Sequence, residues 1–252
     1  MQDVVPKIIY SLWLQGVVQA PALVQLNFTR WAQLNPEYQV KILDQKDVNT
    51  LFAGSDLPID DLSPQALSDV VRIRLLHDTG GIWVDASLFP VKPLDEWLPE
   101  VLTEAGFFAF ERPGPDRPIS SWFLVATAEN PILSAWWKEI KRFWCKPRQL
   151  VGGIPDDPAA SVSPAHAAAA QKYPYFWLHY LFQYLLDTGP EFAALWHDCT
   201  KIPADPPHRL QTLFMNNAAP GEAEIRLAAC AAPVQKLNWR VAYPIDVLVL
   251  LT

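Results

Sequence analysis

The chain has 252 residues and a formal net charge of −7, with 50% hydrophobic and 19% charged residues. That length holds one large or two small domains with a sizeable core, and that balance excludes disorder. Its 20 Lys and Arg form no basic run, which excludes a nucleic-acid binder that works by neutralising phosphates.

Three scattered cysteines, Cys145, Cys199 and Cys230, fit neither a disulfide scaffold nor a C-x-x-C zinc site. Residues 1–7 lack the basic region, apolar run and cleavage site of a signal peptide. No apolar run reaches the ~18 residues of a spanning helix. A cytoplasmic protein with no transmembrane segment is the expectation.

Residues 4–13 read as a first strand, turned by Gly16. Pro21 opens a helix over Ala22–Leu34 that stops before Asn35-Pro36. Residues 38–44 alternate as a second strand. Ser63-Pro64 is an N-cap and first-turn pair for a helix that runs to about Asp78 and ends at Gly80-Gly81. Ile82-Trp83-Val84 is a short buried strand with Asp85 at its end. This order predicts an α/β fold with a mainly parallel sheet, in which ligands sit at the carboxyl ends of strands. Trp13, Asp44 and Asp85 stand at such ends.

Further along, 107–110 and 121–126 look like strands, and Asn130-Pro131 starts a helix to about Cys145. Residues 151–163 read as a loop. Residues 175–186, apolar almost all round, read as a buried helix that stops at Gly189-Pro190. Residues 245–251 read as a strand or a docked end. The 11 Trp suit a core, an apolar surface or a sugar site, and composition does not choose.

No G-x-G-x-x-G, P-loop, G-x-S-x-G or H-E-x-x-H occurs. Asp69 and Arg72, three apart, share a helix face; on spacing alone that is a local ion pair worth roughly 0.2–0.5 kcal/mol. Asp85 follows a buried strand and precedes Ala86 and the Ser87 hydroxyl. Such an acid is placed to hold a divalent cation beside a ligand, because substrate phosphates and waters complete the octahedron. His77 reads as structural or surface, and His179 as a core histidine or one facing an acceptor.

The run Ser68-Asp69-x-x-Arg72, Leu75-Leu76, then Gly80-Gly81-Ile82-Trp83-Val84-Asp85-Ala86-Ser87 resembles the capsular-polysaccharide-synthesis family of bacterial glycosyltransferases. That family is related to the sugar-binding DXD glycosyltransferases and, more distantly, to glucosylating toxins. The opening Val5-Pro6-Lys7-Ile8-Ile9-Tyr10-x-x-Trp13 and Trp31-x-x-x-Asn35-Pro36-x-Tyr38-x-Val40 with Leu43-Asp44 are similar too. Ser121–126 with Asn130-Pro131-Ile132-Leu133 continues the match, and Thr188-Gly189-Pro190 and Lys236-Leu237 are weaker echoes.

The resemblance implies a single GT-A domain over 1–252, with a nucleotide-sugar half (1–135) and a helix-rich acceptor half (136–252). It implies transfer of a hexose from a nucleotide-sugar donor, usually a UDP-sugar, with Mn²⁺ or Mg²⁺ and retention of anomeric configuration. The acceptor would be a saccharide or lipid-linked oligosaccharide in capsule or surface-polysaccharide assembly. Asp85 would be the metal-linked acid with Ser87 beside it. Asp69 would hold sugar hydroxyls, Arg72 would face phosphate or sugar, and Trp13 would lie on the base. Asp44 and His208 would complete the donor site, with Asn216-Asn217 and Glu111-Arg112-Pro113 as further candidates. The usual second aspartate of the motif is Ser87 here, a weaker neutral ligand, so either metal affinity falls or another residue helps, and strict metal dependence does not follow. The aromatic segment 173–182 would give peripheral membrane contact at the acceptor mouth. The rival readings are a non-catalytic nucleotide-sugar or carbohydrate binder on the same fold and a toxin-like protein glycosyltransferase.

Overall fold

A computed structural model describes residues 4–249. The predicted opening is present: β1 (Ile8–Leu12), α1 (Ala22–Leu34) and β2 (Gln39–Leu43), the strands pairing in parallel from Ile8 opposite Gln39 to Leu12 opposite Leu43. A helix that the alternation did not announce, α2 (Gln45–Leu51), follows at once. Asp44 caps it, accepting from the N–H of Lys46 and Asp47 at 2.8 and 3.1 Å, while the Asp47 carboxylate accepts from the Asp44 N–H at 2.9 Å. This reciprocal capping satisfies donors that a helix start otherwise leaves open.

Next comes α3 (Pro64–Thr79), with Ser63 Oγ accepting from the Ala66 N–H at its start. Nine of its residues are buried, among them Asp69 and Arg72. Gly80 and Gly81 then turn the chain into β3 (Gly81–Val84), both at positive φ. A Cβ on Gly80 would meet the Ala128 nitrogen at 2.6 Å, and one on Gly81 the Ile8 carbonyl oxygen at 2.9 Å. The pair is thus required both for the backbone turn and for the close approach of β3 to β1.

After β4 (Leu88–Pro90) and α4 (Leu98–Val101), the hairpin β5 (Phe107–Gly114) and β6 (Arg117–Ala126) completes a five-stranded sheet of order β2-β1-β3-β6-β5. Four strands run one way; β6 runs against both neighbours. The sheet is therefore parallel in direction for the most part but mixed in pairing. The two-residue connection Pro115-Asp116 is too short for a parallel crossover and makes an antiparallel hairpin instead.

α5 (Pro131–Phe143) packs on α3. β7 (Gln149–Val151) pairs in parallel with β8 (Lys172–Pro174), on either side of α6 (Pro164–Ala169); the stretch 151–163 between is a loop apart from the end of β7 and one 3-10 turn, Ala160–Val162. Then come α7 (Trp177–Thr188), α8 (Pro190–His197), α9 (Arg209–Asn216), α10 (Glu222–Ala229) and β9 (Val234–Lys236). β9 pairs antiparallel with β4, Lys236 opposite Leu88. The tail is a docked end in helical form, α11 (Ile245–Val249), with Leu248 buried; positions 250 and 251 of the expected run lie outside the described residues.

Aromatic side chains dominate the interior. Nine of the 11 Trp are buried, and the Trp144 and Phe143 rings pack on Trp177 at 5.2 and 5.4 Å between centroids. Of segment 173–182, Tyr173, Trp177, Leu178, Tyr180, Leu181 and Phe182 are core, and Tyr175 is the one large apolar side chain well exposed, at 49%. The apolar membrane-facing rim expected there thus shrinks to a single ring. No helix among the described residues is long and apolar enough to cross a membrane.

Candidate active site

A cavity of about 880 Å³ opens at the carboxyl ends of β1 and β3. It is closed by α3, β6, the start of α7, and β9 with the loop after it. Its size is that of a small-molecule site. Among the described residues Arg72, Arg117, Lys236 and Arg240 line it against two carboxylates, Asp69 and Asp85, with Arg117 also paired to Asp116 at 3.1 Å. A cationic excess in a concave site of an acidic protein focuses a field that favours an anionic ligand.

Asp85 is the hub. Its carboxylate lies 3.3 Å from Arg72 Nη2 and 3.1 Å from Lys236 Nζ, and it accepts from the Trp83 indole N–H at 3.1 Å. Burial by itself would raise its pKa. The charges of Arg72 and Lys236 and the hydrogen bonds from Trp83 and Lys236 outweigh that and hold the carboxyl below its ordinary value.

Arg72 is held from every side. Nη1 donates to the Ser121 carbonyl oxygen at 2.7 Å, Nη2 to Ser68 Oγ at 3.0 Å, Nε to the Ser68 carbonyl oxygen at 3.2 Å, and Nη2 also pairs with Asp69 at 3.2 Å. Arg72 and Asp69 are both buried, so the sequence reading of an ordinary helix-face pair understates them. The Asp69 carboxyl is pushed up to about 7 by burial, with Arg72 opposing and Asp85 adding repulsion.

Lys236 joins the group from 149 positions away: its ammonium donates to Ser87 Oγ as well as pairing with Asp85. The β4–β9 register and a Leu237 N–H bond to the Ser87 carbonyl oxygen at 3.0 Å put it there. This geometry sets a fixed charge against the metal expectation. The two side chains assigned to Mn²⁺ or Mg²⁺, Asp85 and Ser87, are both engaged by one ammonium, and Arg72 faces the same carboxylate. A divalent cation here would displace or repel two fixed positive charges, so the residues do not fit a resident metal.

Trp13 and Trp239 are the two Trp outside the core, and both line the cavity, edge to face with centroids 5.8 Å apart. Trp13 Nε1, Trp122 Nε1 and His179 Nδ1 are buried at the cavity without a hydrogen-bond partner. His208 also lines the cavity; its Nδ1 bonds the Ala204 carbonyl oxygen at 2.7 Å, and burial lowers its pKa.

The other candidates go elsewhere. Asp44 does not line the cavity, because its carboxylate is spent capping α2. His77 pairs with Asp78 at the end of α3. Asn216 and Asn217 end α9 in solvent. Of Glu111-Arg112-Pro113 only Pro113 reaches the cavity, while the Glu111 backbone is tied to Ile202 and Ala204. The sequence reading did not name Lys236, Arg117 or Trp239 as site residues, and it placed Tyr175 and Phe176 at the acceptor mouth only as part of segment 173–182; the Lys236-Leu237 echo was the one signal it had for Lys236.

His179 gives a pH test. Burial depresses its pKa to about 3, with Arg117 and Arg72 adding to the effect and Asp116 and Asp85 opposing it. The unfolded chain binds this proton from pH 6.5 downward and the folded one does not. Stability is therefore full above pH 6.5 and is lost as pH falls. Between pH 7.5 and 5 the wild type is expected to lose about 2 kcal/mol more than His179→Gln in urea unfolding. Equal losses would show that His179 is not held neutral.

Comparison with known proteins places the chain among glycosyltransferase-like sequences. The chain is 30% identical over 159 residues to the O-glycosyltransferase braB of Annulohypoxylon truncatum, covering 55% of this chain and 38% of that protein. It is 25% identical to the glycosyltransferase afumC of Aspergillus fumigatus (53% and 39%) and 24% identical to the initiation-specific alpha-1,6-mannosyltransferase of Candida albicans (60% and 43%). All three are fungal, so the expectation of a bacterial enzyme gains no support from them. The chain spans less than half the length of these relatives. Among solved structures it is similar to the PaToxG glycosyltransferase, 15% identical over 89% of this chain and 78% of that one, at a TM-score of 0.44, too low to carry an argument. The model of the capsular polysaccharide synthesis protein family matches residues 2–152, which hold β1, α3, β3 and the Asp69–Arg72–Asp85 cluster. The chain belongs to that family.

Proposed function

We propose that the cavity is the donor site of a glycosyltransferase that moves a hexose from a nucleotide sugar, a UDP-sugar in the first instance, to a saccharide acceptor with retention. The observation that carries this reading is the Arg72–Asp85–Lys236 cluster at the strand ends, with Arg72 buried and Asp85 and Lys236 half-buried, inside a cavity with excess positive charge. Breaking the bond from sugar C1 to the diphosphate oxygen leaves its electron pair on the diphosphate. Fixed cations aimed there stabilise the transition state more than the ground state. The acceptor oxygen forms the new bond to C1 on the face the diphosphate leaves, and its proton passes to the leaving diphosphate. Trp13 would carry the base and Asp69 the sugar hydroxyls.

The test is a panel of UDP- and GDP-sugars, mannosyl donors included because one relative is named for mannosyl transfer. Free nucleotide and free sugar are followed with and without oligosaccharide acceptors. Slow hydrolysis of at least one donor, accelerated by an acceptor, is the expected result. Tight donor binding with no turnover under any acceptor would establish the non-catalytic reading instead.

A further inference from the structure

We propose that Lys236 is the built-in cation for the leaving diphosphate and that this site works without a divalent metal. The proposal rests on the nucleotide-sugar reading of the cavity and goes beyond it.

The Lys236 ammonium stands where a metal bound by Asp85 and Ser87 would stand, 3.1 Å from Asp85 Oδ2 and donating to Ser87 Oγ. An ammonium has three N–H donors. Asp85 and Ser87 take two, and the third remains for an oxygen of a ligand in the cavity that Lys236 lines. The substitution is consistent in charge: where a carboxylate would help hold a divalent ion there is a neutral hydroxyl, and a fixed positive charge sits beside it. Arg72 supplies a second cation against the same Asp85 carboxylate.

The position is built rather than incidental. Gln235, fully buried, accepts from the Leu210 N–H at 3.1 Å and donates to the carbonyl oxygens of Ala229 and Pro206 at 3.1 and 3.2 Å, which locks β9 in place. Val234, Gln235 and Lys236 pair with Pro90, Phe89 and Leu88, so the register that seals the core also sets the ammonium. Only 20% of the Lys236 side chain is exposed. A preorganised charge in such a site needs no reorganisation as the diphosphate leaves.

The test is calorimetric titration of the full chain with UDP and with GDP, once in EDTA and once in Mn²⁺. The better nucleotide is expected to bind with a Kd that agrees within about threefold in the two buffers, and Lys236→Met to weaken binding in EDTA by at least about tenfold. Lys236→Arg, which keeps the charge, is expected to restore most of it; thermal melting confirms that both variants fold. Binding that Mn²⁺ tightens by about tenfold or more overturns the metal-free proposal and leaves the donor reading standing. Unchanged binding in folded Lys236→Met also overturns the role of this lysine. Failure of both nucleotides in both buffers overturns the donor reading and this proposal together.

Discussion

Replacing Arg72 with alanine is expected to lower stability by about 3–5 kcal/mol, because it leaves buried charge without its partner. The guanidinium sits between Asp69 and Asp85 with its side chain 6% exposed, and it also satisfies the Ser121 carbonyl oxygen. Its removal strands the Asp69 carboxylate and one backbone acceptor, while Asp85 keeps Lys236 and Trp83, so the unfolding midpoint in urea should fall sharply. Transfer should fall by a factor of about 10²–10³ or more, the usual consequence of losing one preorganised group at a developing charge. Arg72→Lys separates the two effects. It keeps the positive charge but not the fork that reaches Ser68, Ser121 and the acids at once, so it should recover more stability than turnover. An Arg72→Ala protein that unfolds like wild type, as a surface helix pair would allow, would show that the cluster does not stabilise the fold, and unchanged transfer would remove Arg72 from the site.

Asp85→Ala is expected to abolish transfer while the protein stays folded. Asp85 fixes the direction of both cations that face the leaving group in the proposed reaction. Without it, Lys236 keeps only Ser87 and Arg72 keeps Asp69. The fold survives because each remaining charge retains a partner and the Asp85 side chain is 23% exposed. Loss of the carboxylate also relieves Asp69. Its carboxyl, raised to about 7 chiefly by burial and further by Asp85, should titrate at lower pH in the variant. Nuclear magnetic resonance of labelled aspartate carboxyls would follow that shift directly. Residual transfer above about a tenth of wild type, in a protein with unchanged melting, would remove Asp85 from the site.

Local chemistry in the chain marks five elements of the first half of the molecule, though not α2, β4 or α4. Apolar strands, a Ser-Pro helix start and a Gly-Gly stop are short-range signals, so β1, α1, β2, α3 and β3 fall where the pattern puts them, with Asp85 at a strand end. Asp69 and Arg72 on one face of α3 were equally legible, since a spacing of three needs no tertiary contact. Their weight was not legible, because burial of α3 depends on the sheet and on α5 packed against it. Asp44 shows the opposite case. A strand-end acid can serve a ligand or cap the next helix, and the structure gives it to α2. The charge balance around Asp85 was decided only by tertiary structure. Lys236 is 149 residues from Ser87, and no local periodicity encodes the pairing of β9 with β4. That pairing is chosen by the apolar contacts that close the C-terminal segment over the core, and it brings a fixed ammonium to the place where the motif by itself implied a metal.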